Sequence, residues 1–455
     1  MKTKTMMQMG ALALTLLTSS VMAAISEQEA AQLGTTLTPL GGEKAGNADG
    51  SIPAWTGGLK SDAAPVENGF FGDPFAGEQP LFTITAANAE QYKDKLTPGQ
   101  LAMFKRYPDS YKIPVYKSHR SASAPQEIYE VAKKSAVTTQ LINDGNGLSN
   151  FAETHYYPFP IPKSGVEVLW NHTTRYRGKN FQRSSAQIVP QANGSYSTVT
   201  FEDEMASPQN MQGVDKEKTQ NVIFYYKQRV ISPARLAGNV LLVHETIDQV
   251  NEPRMAWIYN AGQRRVRRAP QVAYDGPGTA ADGMRTSDNG DLFNGAPDRY
   301  DWKLVGKKEM YIPYNNYRLQ SPKLKYDDII KPGHINQDLT RYELHRVWQV
   351  EATLKAGQRH IYAKRDMYFD EDTWQLVEVD HYDGRGQLWR VGEGYAFNDY
   401  QQGLATNAMQ GIYDLIAGRY IVLNLLNESK HGVLYGNTAS LSDFTPAALR
   451  NAGIR

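Results

Sequence analysis

Apolar and polar positions alternate along much of the chain after residue 160. Between 342 and 352, Tyr342, Leu344, Trp348, Val350 and Ala352 share one face of an extended chain, while Glu343, His345, Gln349 and Glu351 occupy the other. Successive strand side chains point to opposite faces, so this period of two predicts strands. Similar stripes run through Val222, Phe224 and Tyr226, and through Ile361, Ala363, Met367 and Phe369. Eleven segments read this way: 166–171, 196–201, 222–230, 240–247, 255–260, 264–268, 302–312, 342–353, 360–369, 375–382 and 388–397. Such alternation marks an antiparallel sheet with one face covered. Eleven strands exceed what one flat sheet usually holds before it curls, and a curled sheet of that width has room for a cavity. The expected fold is therefore mainly β with helices (α+β), built on a curved antiparallel sheet that forms an incomplete barrel.

The hairpin 254–270, RMAWIYNAGQRRVRRAP, is the most informative of these segments. Met255, Trp257 and Tyr259 fall on one face of its first strand. After a turn signal at 260–262, four of the five residues 264–268 are arginine, and arginine is rarely buried unpaired. One side of the hairpin should be greasy and the other wet. The tail after Tyr400, with an apolar stretch at 413–426, is expected to form a helix and a last strand closing the sheet.

Residues 25–150 read differently. Gly and Pro cluster at 41–58 and 69–80, and helices appear only where punctuation allows them. Thr85 caps a helix over 86–92, Thr97-Pro98 opens another toward Phe104, and Pro125 starts a third reaching about Leu141. This part is expected to be a loop-rich, partly helical arm packed on a half-barrel domain spanning 151–455.

The first residues bear on the compartment. Lys2 and Lys4 precede an apolar stretch, 10–22, and Val21-Met22-Ala23 fits the small-x-small rule for cleavage. A secretory signal peptide over 1–24 is expected, since a spanning helix needs about 20 apolar residues and the chain turns polar at Ser26. Cysteine is absent, which rules out a lipid on cysteine and a disulfide. A net charge of +1 suggests no nucleic-acid partner. The 27 tyrosines and 7 tryptophans suit half-buried sheet faces and cavity walls alike.

The Trp257-x-Tyr259 strand followed by an arginine strand resembles the strand pair of the LolA and LolB periplasmic lipoprotein carriers. A longer resemblance begins with the run 33–58, LGTTLTPLGGEKAGNADGSIPAWTGG, and continues through Tyr107-Pro108, Asn150-Phe151 and the 254–270 hairpin. Over nearly the whole mature chain, it resembles an uncharacterised family of proteobacterial exported proteins described as outer membrane lipoprotein-sorting-like. The resemblance implies an incomplete LolA/LolB-like β-barrel around a hydrophobic cavity. It also implies work alongside an outer-membrane protein and an inner-membrane exporter, and it transfers no catalytic residue.

Enzyme signatures are missing. His244-Glu245 lacks the second histidine of a zinc protease helix, and no nucleophile elbow, phosphate loop or dinucleotide fingerprint occurs. His345, His360 and His381 lie on neighbouring expected strands, where histidines more often serve as hydrogen-bonded rim groups than as ligands. Segment 273–299, rich in Gly, Asp, Asn and Pro, is too long for a hairpin turn, and its Asp288 and Asp291 lack the register of a calcium loop. It is expected to be a flexible rim. No metal, cofactor or catalytic residue is assigned.

Two classes of function remain. One is a periplasmic carrier or chaperone that holds a lipid, an acylated protein or another hydrophobic molecule in the barrel for transfer toward the outer membrane. Its cavity would be lined by Phe224, Tyr226, Met255, Trp257, Tyr259, Leu344, Trp348, Met367 and Phe369, with Arg264, Arg265, Arg267 and Arg268 at the mouth for a head group or a partner. The other is a periplasmic hydrolase or other enzyme acting on such a molecule, with a non-catalytic envelope scaffold as a further option. Both place the protein in the periplasm, either free or peripheral to the outer membrane.

Overall fold

The computed structural model describes residues 24–151 and 153–453, so the expected leader lies outside the described residues except for Ala24. Sixteen strands form the main sheet. The N-terminal segment contributes β1 (Phe82–Ile84) and β2 (Ile113–Tyr116). Six strands follow: β3 (Phe181–Ile188), β4 (Thr198–Ala206), β5 (Val222–Ser232), β6 (Val240–Thr246), β7 (Met255–Asn260) and β8 (Arg265–Arg268). The remainder are β9 (Tyr300–Pro313), β10 (Tyr342–Leu354), β11 (Lys364–Asp370), β12 (Leu376–Tyr382), β13 (Leu388–Asp399), β14 (Leu404–Asp414), β15 (Arg419–Leu425) and β16 (Leu434–Tyr435). Their order is β8-β7-β6-β5-β4-β3-β15-β14-β13-β12-β11-β10-β2-β1, with β9 flanking β10 and β16 added to β3. Only β2 runs parallel to its neighbour β10. The sheet is large, curved and open, and β8 and β9 do not pair with each other.

The pairing of β15 with β3 joins two antiparallel runs far apart in sequence, and β3 itself escapes the alternation rule because seven of its eight side chains are at least half-buried. The 413–426 stretch resolves into the end of β14 and all of β15. Helices α1 (Pro98–Arg106) and α2 (Gln126–Thr138) form near the expected positions, whereas 86–92 yields a tighter 3-10 turn, Ala89–Lys95.

One expected strand is a helix. Residues 166–171 belong to α3 (Gly165–Thr173), because Ser164 accepts a hydrogen bond from the Glu167 amide and Glu167 accepts one from the Ser164 amide. Val166-Glu167-Val168 mimics strand alternation, but the reciprocal cap starts a helix. Gly165 permits this helix to lie against β9: a Cβ there would sit 2.9 Å from the carbonyl carbon of Trp302. Val168 and Leu169 of α3 then pack with Met367, Phe369, Leu376 and Val379 of the sheet.

Segment 273–299 is not a rim. It enters the inside of the sheet, where Met284, Leu292 and Phe293 are buried. Asp288 accepts from Arg365 of β11 at 2.7 Å and lies 3.0 Å from His360, while Arg365 packs on the rings of Phe293, Tyr300 and Tyr362. A run poor in apolar residues is thus held by buried charge pairs and by the few apolar residues it has.

On the outer side, α1 buries Met103 and Phe104 and adds polar contacts. Gly99 N–H donates to Asp380 at 2.9 Å and Gln100 to Glu378 at 3.0 Å. Glu393 accepts from Tyr342 at 2.9 Å, Tyr395 at 2.6 Å and Tyr111 at 3.2 Å. Burial, and then the nearby carboxylates Glu393 and Asp380, push Glu378 well above the usual carboxylate range. Burial also raises Asp380, to about 8. Because the folded value lies above the ordinary 3.8, this group's contribution to stability is complete below that pH and is lost as pH rises toward about 8. Asp380→Asn should therefore reduce the fall in Tm between about pH 5 and about pH 8. Calorimetric melts across that window check it, and an unchanged slope would refute it.

Candidate functional site

The inside of the sheet is unevenly filled. Over β10 to β12, α3 and residues 292–293 close it with apolar contacts. Over β3 to β6, β14 and β15 a hollow of about 240 Å³ remains, whereas two others hold about 10 Å³ each. It lies just below the roughly 300–1,000 Å³ common for ligand pockets. Phe201, Met205, Phe224, Leu241, Val243 and Leu423 supply its apolar wall.

Neutral polar side chains and five arginines complete the wall. Arg175, Arg177, Arg183, Arg254 and Arg285 all line the hollow. Arg183 donates to Asp203 at 2.8 Å, and Asp203 also accepts from Ser185, Tyr226 and Gln228. Arg254 forks onto Glu245. Arg175 and Arg177 share one carboxylate, Asp291, at 2.6 and 3.1 Å. Among the described residues, Arg285 donates a hydrogen bond to the Thr286 carbonyl, and its Nε is buried without a partner. Five guanidiniums thus face three carboxylates, Asp203, Glu245 and Asp291, an excess of two positive charges.

Titration shifts follow from that crowding. Burial lowers Arg177 to about 10, helped by repulsion from Arg175. Burial lowers His172 to about 3, so the imidazole beside Arg175 is neutral near pH 7. Burial alone would raise Asp291, but Arg175, His172 and Arg177 hold it below the usual range.

A family model described as protein of unknown function, DUF1329, matches residues 83–450. The chain belongs to the DUF1329 family. An uncharacterised protein of Pseudomonas aeruginosa is 64% identical over 454 residues, covering 100% of this chain and 99% of that protein. Three solved structures resemble parts of it. A putative outer membrane lipoprotein-sorting protein domain from Vibrio parahaemolyticus has a TM-score of 0.44 at 14% identity, over 63% of this chain and 98% of the other. A DUF1329 protein from Desulfovibrio piger has 0.40 at 18%, over 60% and 92%. A LolA superfamily protein from Nitrosomonas europaea has 0.38 at 12%, over 62% and 98%.

Of the residues expected in the cavity of this DUF1329 protein, Phe224 and Tyr226 line it. Met255, Trp257 and Tyr259 lie on the other face: the register sets Trp257 opposite Leu242 and Tyr259 opposite Val240, whereas the cavity takes Leu241 and Val243. The C-terminal residues Phe444 and Leu449 cover that outer face. Trp348, Met367 and Phe369 face inward but pack against α3 and Leu292, and Leu344 belongs to the cluster around Met103 and Tyr111. Arg264, Arg265, Arg267 and Arg268 are exposed at the open edge. Arg265 and Arg267 pair with Asn260 and Ile258, on the cavity's side of the sheet, and Arg268 stacks over Trp257 on the other.

The lining arginines 175, 177, 183 and 285 were not among the expected residues. The alternation Arg175-Tyr176-Arg177 is their faintest sign, and Arg285 sits in a run with no periodicity at all. His360 and His381 gather around Asp288 and Asn289, while His345 stacks on Tyr314 apart from them. His345, Asp370 and Asp372 each bring a ligand atom within 4.8 Å of the others. Arg120 already forks onto both oxygens of Asp372, at 2.9 and 2.7 Å, so a guanidinium supplies the cation there.

Removing Asp291 would strand two buried guanidiniums, an effect of about 3 kcal/mol or more for a broken buried pair. Asp291→Asn should lower the urea midpoint accordingly, and a midpoint within error of the parent would refute the pairing.

Proposed function

We propose that this protein is an exported, periplasmic carrier or chaperone that shelters one hydrophobic molecule inside its open sheet. The observation that carries this reading is the hollow over β3 to β6, which sits on the inner face with Phe224, Leu241 and Val243 as an apolar wall. Burying a chain there yields roughly 0.8 kcal/mol per methylene without any catalytic group. The leader-like residues 1–24 and the absence, among the described residues, of a helix long and apolar enough to cross a membrane are compatible with export.

Within the same reading, Arg264, Arg265, Arg267 and Arg268 contact a head group or an acidic partner surface, since they are exposed on and beside an edge strand and form no ion pair with a carboxylate among the described residues. The partners would be an outer-membrane protein and an inner-membrane exporter, and the protein would act close to the outer membrane. No catalytic residue, metal or cofactor enters this role.

Neutral N-phenyl-1-naphthylamine reports on the hollow. Leu241→Glu, which places a charge on the half-buried wall, should weaken its binding at least about tenfold, or roughly 1.4 kcal/mol. Trp257→Ala, on the opposite face, should leave binding as it was. Fluorescence titration decides, and equal losses in both variants would sink the assignment.

A further inference from the structure

The cavity wall combines two chemistries that one ligand class answers. Among the described residues Arg285 has no ion-paired carboxylate, and its Nε is buried without a hydrogen bond. The Nε of Arg175 is likewise buried and unused, although that side chain is only 5% exposed. The two acids nearest Arg285 in sequence are paired elsewhere: Asp282 with Arg419, and Asp288 with Arg365 and His360. Guanidinium charge withdrawn from water is costly unless an anion meets it, and a planar fork suits carboxylate and phosphate oxygens. Phe224, Leu241 and Val243 meanwhile offer a dry surface to hydrocarbon. At the open edge, Arg265 and Arg267 extend positive charge along the same face of the sheet.

We propose that the hollow is built for an amphiphile: a single apolar chain against Phe224, Leu241 and Val243, ended by one oxyanion held by Arg285 and Arg175. This rests on the carrier reading and narrows it. The shared chemistry is a carboxylate or phosphate on an alkyl chain. A neutral lipid would leave the excess cations unanswered, and a cationic one would be repelled. The two-charge excess also sets the expected salt dependence, because screening weakens the head-group contact more than the chain contact.

The test uses the full mature chain stripped of lipid and loaded with N-phenyl-1-naphthylamine. Dodecanoate, dodecyl phosphate, dodecanol and inorganic phosphate are added as competitors. Both anionic amphiphiles should displace the probe at least about tenfold more tightly than dodecanol, and inorganic phosphate should leave it bound. Arg285→Gln should bring the anion-to-alcohol ratio close to one, and Arg285→Lys should recover part of it. Dodecanoate ahead of dodecyl phosphate assigns a carboxylate head, and the reverse order a phosphate head. A probe that never binds overturns the carrier reading together with this one. A probe that binds but yields equally to dodecanol and to the anions overturns this inference alone, as does a ratio that Arg285→Gln leaves intact.

Discussion

Two aspartates on one crossing segment hold the inside of this sheet together. Asp288 clamps to Arg365 and His360 over β11, and Asp291 clamps to Arg175 and Arg177 where α3 ends. Between those anchors Leu292 and Phe293 drop into the apolar cluster under α3. An open sheet of sixteen strands has a long inner face to cover, and little of the chain is helical enough to cover it. The charge pairs bring a segment of low apolar content into a place it would not reach by burial alone. They work because each carboxylate there has a guanidinium partner, without which a buried charge is strongly destabilising.

The same clamps decide where space is left. With α3 and residues 292–293 seated over β10 to β12, the hollow is confined to the other half of the sheet. Its wall is therefore the meeting line of two materials: the apolar stripes of β4, β5 and β6, and the guanidiniums carried by the clamp and by β3. A purely apolar cavity would accept any grease. This one has a charge requirement as well, and selectivity in such a site arises as much from what is left unpaired with the wrong guest as from contacts with the right one.

The outer face shows what happens where no space is left. Trp257 and Tyr259 occupy the hairpin that most suggested a binding wall, and they are covered by Phe444 and Leu449 from the end of the chain. On that same face, further along the sheet, α1 adds hydrogen bonds to Asp380 and Glu378 to the burial of its Met103 and Phe104. Buried carboxylates thus lie on both faces, with Asp291 held below the usual range inside by its guanidinium partners and Asp380 raised to about 8 by burial outside.

Much of the architecture was legible in one dimension. Period-two alternation located ten of the sheet's strands, since a half-buried strand must alternate, and the length of that series required curvature. The capping signals at Thr97 and Pro125 located α1 and α2 for an equally local reason. What alternation cannot say is which of its two faces turns inward: Trp257 and Ile258 are equivalent until register places Leu241 beside one and Leu242 beside the other. Nor can it foresee α3, whose reciprocal cap at Ser164 and Glu167 overrides a strand-like run. Arg175, Arg183 and Arg285 lie up to 110 residues apart and carry no common local pattern. Only the folding of segment 273–299 across the sheet sets them around one hollow, because ion pairing acts through space while periodicity acts along the chain.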